Sequence, residues 1–65
     1  MKIDTNKIKM FLAERGLTRA AYAELCGISR QNISTILTRG TCEPRTAGKL
    51  AKGFGIPVSE IIKEE

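Results

Sequence analysis

Two helix start signals lie between residues 18 and 40, and a glycine stands between them where the first helix must end. Thr18 and Ser29 each offer a side-chain oxygen that can accept a hydrogen bond from a free amide of a first helical turn. The alanine, glutamate and leucine residues between them favour helix. Gly27 tolerates the left-handed backbone conformation that a sharp turn requires. The stretch therefore predicts two short helices, over residues 18–38, joined by a tight turn.

The second of these helices has a narrow apolar face. Ile33, Ile36 and Leu37 follow the i, i+3, i+4 spacing of a single helix face. The polar residues of the segment fall largely off that face: Arg30, Gln31, Asn32, Ser34 and Thr35. A helix with an apolar back and a front of long polar side chains is suited to the major groove of DNA.

The net charge of +4 is distributed unevenly along the chain. Residues 53–65 have one base, Lys63, and three acids, whereas residues 30–52 have one acid, Glu43. The five bases of residues 30–52 are Arg30, Arg39, Arg45, Lys49 and Lys52. A positive zone over the second helix suits a polyanionic partner, although ordinary solubilising charge would explain the same composition.

Length and composition limit the chain to one small domain, residues 1–65, without a large ligand pocket. A hydrophobic content of 42% is enough for one compact core. The chain has two cysteines, Cys26 and Cys42, that are not spaced as a metal motif, and it has no histidine. We therefore expect no metal, no cofactor and no small-molecule ligand. No apolar run approaches the ~18 residues of a membrane span, so a cytoplasmic location is expected.

An enzyme is the least favoured class of function. With no histidine, a cysteine nucleophile would have no histidine base, and the middle of the chain has no paired carboxylates. The segment Gly53-Phe54-Gly55 is a helix end rather than a phosphate-binding GxGxxG loop.

Apolar spacing and stop signals predict an all-α bundle of five short helices with no strand. Besides the central pair, we expect helices from residue 4 or 5 to 15, from 45 or 46 to 54, and from 58 to 63. Gly48 and Gly53 each cost the fourth helix about 1 kcal/mol relative to alanine, so we expect it to be the least stable. The expected core residues are Ile8, Phe11, Leu12, Leu17, Tyr22, Ala23, Cys26, Ile28, Ile33, Ile36, Leu37, Leu50, Phe54, Ile56, Val58 and Ile61.

The ordered pattern of these residues resembles the Cro/phage-repressor (XRE-type) helix-turn-helix family. The matching positions of the central pair are Thr18, Ala23, Gly27, Ile28, Ser29, Ile33 and Ile36. The similarity extends from residue 8 through residues 44–45, 50–52 and 54–56 to residues 58–62. The resemblance implies a lambda-repressor-like DNA-binding domain whose second central helix, residues 29–38, lies in the major groove.

The family's DNA contacts can be carried onto matching positions. Base contacts are implied for Arg30, which suits guanine, and Gln31, which suits adenine, with Asn32, Ser34 and Thr35 beside them. Backbone contacts are implied for residues at the start of the first central helix and around the loop after the second: Thr18, Arg19, Arg39, Thr41 and Arg45. For each of these residues the alternative is an ordinary solvated side chain.

Three departures from the family pattern have consequences. Leu12 and Leu37 stand where several relatives have a buried arginine–glutamate pair, and we predict that the two leucines touch. Gly40 falls one residue late, which predicts a slightly longer reading helix. Glu43 places a negative charge near the expected phosphate path and weakens the prediction for that loop.

The resemblance implies a sequence-specific transcriptional regulator, in the form of a repressor that reads a short palindrome on double-stranded DNA. One domain covers only a few base pairs, so a weak homodimer that DNA helps to complete is expected. The dimer surface would include the loop before Pro44 and the last helix, near Val58, Ile61 and Ile62. The alternative is a protein-interaction module, such as an antitoxin, built on the same fold. The near absence of a tail beyond residue 62 makes that alternative the weaker one.

Overall fold

The computed structural model describes residues 1–63 and confirms an all-helical architecture. Its four α-helices are α1 (Thr5–Arg15), α2 (Arg19–Cys26), α3 (Arg30–Arg39) and α4 (Pro44–Phe54). A short 3₁₀ helix, Val58–Glu60, follows α4. None of the helices in this described part of the chain has the length and hydropathy needed to span a bilayer.

Two predicted boundaries were wrong. The last element is a single 3₁₀ turn rather than a helix over residues 58–63, because Ile62 forms an antiparallel bridge with Ile3 and the chain there becomes extended. Helix α4 begins at Pro44, one or two residues before the predicted start at residue 45 or 46. Proline has no N–H group to leave unsatisfied, and its fixed φ suits the first helical position.

The helix-turn-helix forms where the start and stop signals predicted it. The side-chain oxygens of Thr18 and Ser29 accept hydrogen bonds from the N–H groups of Ala21 and Asn32, each at 3.1 Å. Gly27 adopts a left-handed φ of 74°, and the N–H of Ile28 donates to the carbonyl of Ala23 at 3.1 Å. These local bonds set where α2 ends and where α3 begins.

An extended N-terminal segment, residues 1–4, was not predicted. It forms antiparallel bridges on both of its sides, Lys2 with Thr41 and Ile3 with Ile62. Ile3 is only 3% exposed and belongs to the core. Residues 1–4 therefore join the loop after α3 to the segment after the 3₁₀ turn.

The core largely matches the predicted set. Leu12 and Leu37, the leucines at the position of the family's charged pair, are both buried, and their direct contact stays a prediction. The predicted core residues that are only partly buried are Phe11, Leu17, Ile28, Ile56 and Val58. The core residues absent from the predicted set are Ile3, Ala47 and Ala51. Ile3 lies in a polar segment, and Ala47 and Ala51 are small, so none of the three adds much to the apolar periodicity from which the core was predicted.

An aromatic cluster joins α1, α2 and α4. The rings of Tyr22 and Phe54 are stacked, with centroids 4.2 Å apart, and Phe11 packs against Phe54 at 5.1 Å. The guanidinium of Arg15 lies over Phe11 and Phe54 and donates a 2.7 Å hydrogen bond to the Phe54 carbonyl at the end of α4. This bond satisfies one of the carbonyls that a helix C-terminus leaves without an intrahelical partner.

Gly53 permits α4 to approach α2 closely. A Cβ atom at this position would lie 2.5 Å from the Cys26 Sγ and 2.9 Å from the Tyr22 Cε1. The hydroxyl of Tyr22 donates a buried 2.6 Å hydrogen bond to the carbonyl of Leu50 on the same face of α4. The glycine that weakens the isolated helix is therefore required by the packing of the folded domain.

The Gly53→Ala variant is expected to destabilise the domain by about 1–3 kcal/mol, because the added methyl group overpacks the α2–α4 contact. Gly48→Ala is the matched control on the same helix, since a Cβ there meets nothing within 4 Å. It is expected to stabilise the domain by up to about 1 kcal/mol through helix propensity. Urea unfolding of both variants would measure the difference, and equal effects of the two alanines would contradict this interpretation.

Tyr22 links stability to alkaline pH. Burial, followed by the neighbouring Cys26, raises the pKa of Tyr22 well above its ordinary value of 10.0. The folded state therefore favours the neutral phenol, and this contribution to stability is fully present below pH 10.0 and is lost as the pH rises above it.

Tyr22 is the one tyrosine of the chain, so its ionisation can be followed directly by absorbance. Tyrosinate is expected to form only as helical circular dichroism is lost. The Tyr22→Phe variant is expected to have a lower free energy of unfolding at neutral pH. Above pH 10 its free energy of unfolding should fall less steeply than that of the wild type, because it has no phenol to ionise. Ionisation of Tyr22 near pH 10 in a fully helical protein would show that the phenol is not held neutral by the fold.

Candidate nucleic-acid interface

Helix α3 buries one face and exposes the opposite one. Ile33, Ile36 and Leu37 are 1%, 5% and 7% exposed, and they join the core. Of the predicted base-contact residues, Arg30, Gln31, Asn32 and Thr35 are exposed and Ser34 is half-buried. All five therefore lie off the buried face of α3, as the apolar spacing predicted, while their contacts with bases stay a prediction.

The first turn of α3 contains free hydrogen-bond donors. The Ser29 side chain caps the N–H of Asn32, while the N–H groups of Arg30 and Gln31 have no partner among residues 1–63. The side chains of Arg30 and Gln31 are also without a partner in this part of the chain. A helix N-terminus with free donors favours anionic groups, so this end of α3 suits a nucleic-acid edge or backbone.

Two threonines of α3 have their hydroxyl protons committed to the helix itself. Thr35 donates to the carbonyl of Gln31 at 3.0 Å, and Thr38 donates to the carbonyl of Ser34 at 2.9 Å. The Thr35 oxygen can still accept a hydrogen bond, and its methyl group is left for apolar contact. Thymine presents a methyl group in the major groove, which such a side chain can meet.

On one side of α3, an open groove of about 500 Å³ includes the start of α2. It is lined by Thr18, Arg19, Ala20, Arg30 and Ser34. The oxygen of Thr18 accepts the cap hydrogen bond from Ala21, which leaves the hydroxyl proton free to be donated to a phosphate. Two predicted backbone-contact residues, Thr18 and Arg19, are thus placed beside a predicted base-contact residue.

On the other side, a groove of about 670 Å³ separates α3 from the loop that follows it. Asn32, Thr35 and Arg39 line its α3 wall, and Thr41 and Glu43 line the opposite one. Arg39 and Thr41, both predicted to contact the backbone, therefore face the same space. Arg45 is exposed in the first turn of α4 but does not line this groove.

The charges of this surface are free to meet a ligand. Within residues 1–63, Lys7 and Glu60 form an ion pair at 3.2 Å, which lies away from both grooves. Arg19, Arg30 and Arg39 take part in no ion pair within that range. Glu43 is exposed and also takes part in no ion pair within that range. It is the one acidic residue among those that line the larger groove.

Burial disfavours the thiolate form of both cysteines. Burial raises the pKa of Cys26 and of Cys42, which keeps both thiols neutral, and both are free. Among the described residues, no group of three or more histidine, cysteine, aspartate or glutamate side chains could hold a metal ion.

Sequence reasoning missed Met1 and Thr46, which also line the larger groove. Met1 reaches that position only through the pairing of residues 1–4 with the loop after α3, and no local pattern signals such a contact. Thr46 is the third residue of α4. A prediction that α4 starts at Pro44 would have placed Thr46 in the first turn of that helix, near the groove.

Comparison with known proteins gives a single finding on this architecture. A family model described as helix-turn-helix, of the Cro/C1 (XRE) type, matches residues 8–61. No curated protein and no solved structure matches the chain. The matched region covers most of the chain and includes α2, the Gly27 turn and the exposed face of α3. The chain therefore belongs to the Cro/C1-type (XRE) helix-turn-helix family of DNA-binding transcription regulators.

Proposed function

We propose that this protein is a repressor that binds a short palindromic DNA operator through α3 in the major groove. The observation that carries this proposal is the first turn of α3, where the exposed side chains of Arg30 and Gln31 have no partner among residues 1–63 and lie opposite a buried apolar back. Side chains without intramolecular partners lose no protein contacts when they bind base edges. The place of action would be the cytoplasm of a prokaryote, or of a host that carries a phage.

The chemistry of the two leading side chains suggests which bases they read. The guanidinium of Arg30 can donate two hydrogen bonds to the N7 and O6 atoms of guanine. The amide of Gln31 can pair with the N7 and N6 atoms of adenine. Asn32, Ser34 and Thr35 lie beside them and would complete the contact with neighbouring bases.

The two grooves that flank α3 provide for phosphate contacts on both sides of the reading helix. Thr18 and Arg19 would hold one strand, and Arg39 and Thr41 would hold the other. Arg45 would approach the backbone from the start of α4. Such contacts set the position of α3 and contribute affinity that falls as salt rises.

Two copies of the chain would be needed for a palindrome. Residues 1–63 pack around one core, which we take as a single DNA-binding domain whose largest dimension is 29 Å. Half-sites in this class of complex are about 34 Å apart, so one domain cannot reach both. We propose a weak homodimer through the loop before Pro44 and the segment near Val58 and Ile62, completed on DNA. Ile61, which we also expected near this surface, is 0% exposed and belongs to the core instead.

Replacement of both Arg30 and Gln31 by alanine is expected to abolish the enrichment of a specific sequence from a random DNA pool. Each lost base contact should cost about 1–3 kcal/mol of discrimination. Lys9→Ala is the control for lost charge, because Lys9 is exposed on α1 and lines neither groove. Selection followed by sequencing would be run on all three proteins.

If the wild type and Lys9→Ala enrich a palindrome and the double variant does not, specific reading by α3 is supported. Enrichment of the same palindrome by the double variant would remove Arg30 and Gln31 from the reading role. No enrichment by any of the proteins would contradict the proposed function and favour a protein partner.

Arg39→Ala should act differently from the base-reading variants. Loss of a phosphate contact is expected to weaken binding about equally on all sequences and to reduce the slope of log K against log salt by about 1. Titrations of a selected and a scrambled duplex at several salt concentrations would measure this slope, again with Lys9→Ala as the charge control. A sequence-dependent loss would instead assign Arg39 to base reading.

A further inference from the structure

The pairing of residues 1–4 places one residue of the DNA-facing loop in a defined orientation. The N–H of Ile3 donates to the Gly40 carbonyl at 2.9 Å, and the N–H of Cys42 donates to the Met1 carbonyl at 3.0 Å. Thr41 lies between these two bonds, opposite Lys2. In an antiparallel pair with this arrangement of bonds, the N–H and carbonyl of the residue in between point away from the partner segment.

Thr41 is consequently left with a free donor. It is exposed, and its N–H has no partner among residues 1–63. It also lines the larger groove opposite Asn32 and Arg39 of α3. Main-chain N–H groups are common phosphate ligands at protein–DNA interfaces, and this one lies beside a helix that would enter the groove.

The other side of the same segment is held by a separate pair of bonds. The N–H of Asp4 donates to the Ile61 carbonyl at 2.8 Å, and the N–H of Lys63 donates to the Lys2 carbonyl at 3.1 Å. The buried Ile3 side chain, 3% exposed, ties the segment to the core. The loop after α3 is therefore fixed to the body of the domain through residues 1–4.

We propose that residues 1–4 are a positioning segment, which holds the loop after α3 so that the N–H and hydroxyl of Thr41 face a DNA phosphate. This inference rests on the proposed DNA-binding function and adds to it a part for residues that precede the helix-turn-helix. The restraint matters because Glu43 lies two residues further on in the same loop. A loop free to rotate would bring that carboxylate toward the phosphate that Thr41 should bind.

The hydrogen bonds on the two sides of residues 1–4 can be tested one at a time by replacing a single backbone N–H group with oxygen. Chemical synthesis of the full chain with an ester in place of the Ile3 amide removes the donor to Gly40 and leaves every side chain unchanged. The matched control is an ester in place of the Asp4 amide, which removes the donor to Ile61. The Ile3 ester also makes the Lys2 carbonyl a weaker acceptor for the N–H of Lys63. That bond lies on the same side of the segment as the Asp4–Ile61 bond, so the Asp4 ester also controls for a loss on that side.

Each protein would be titrated with the selected duplex at several salt concentrations, at a temperature where circular dichroism shows it fully folded. The Ile3 ester is expected to bind about five-fold more weakly with a nearly unchanged salt slope, because the Thr41 N–H and hydroxyl carry no charge and their loss releases no counterion. The Asp4 ester should bind within about twofold of the wild type. Amide exchange at Cys42, measured without DNA, should be faster in the Ile3 ester alone.

Equal DNA binding by the two esters would overturn the positioning role, whether both match the wild type or both are weakened alike. In that case the wild type still binds its duplex, so the proposed function stands. If the wild type binds no duplex, the proposed function fails, and the inference fails with it.

Discussion

The close contact between α2 and α4 is the interaction on which the other parts of this small domain depend. Tyr22 stacks on Phe54 and reaches the Leu50 carbonyl through its hydroxyl, while Gly53 lets the two helices approach. Helices of 8 to 11 residues are too short to persist alone in water. Their stability must therefore come from contacts of this kind, which hold α2 in place and so define where α3 can start.

The orientation of the candidate interface is set by the packing of α3 on the rest of the domain. Helix α3 is held by its apolar back and by the cap at Ser29, so the direction of its exposed face is set by the fold. The grooves on its two sides take one wall from α3 and the other from a neighbouring element, the start of α2 or the loop after α3. The distance between the residues proposed to contact phosphates and those proposed to contact bases is thus determined by helix packing rather than by flexible side chains.

The parts that the sequence predicted well are those fixed by local chemistry. Thr18, Gly27 and Ser29 act within a few residues of their own position, and the apolar spacing of α3 assigns its inner and outer faces. The pairing of residues 1–4 depends on partners 39 and 59 positions away, such as Thr41 and Ile62, and no local pattern reports it. The replacement of the last helix by a 3₁₀ turn has the same non-local cause.

The side chains of Arg30 and Gln31 have no partner among residues 1–63, which has a consequence for how such a protein can change during evolution. Since neither side chain contributes a cap, a core contact or an ion pair, substitution at these positions has little effect on the free energy of folding. New binding preferences can therefore be explored without loss of the folded state. The domain separates the residues that make it stable from those proposed to choose its target, and duplicated copies could diverge in target while keeping one scaffold.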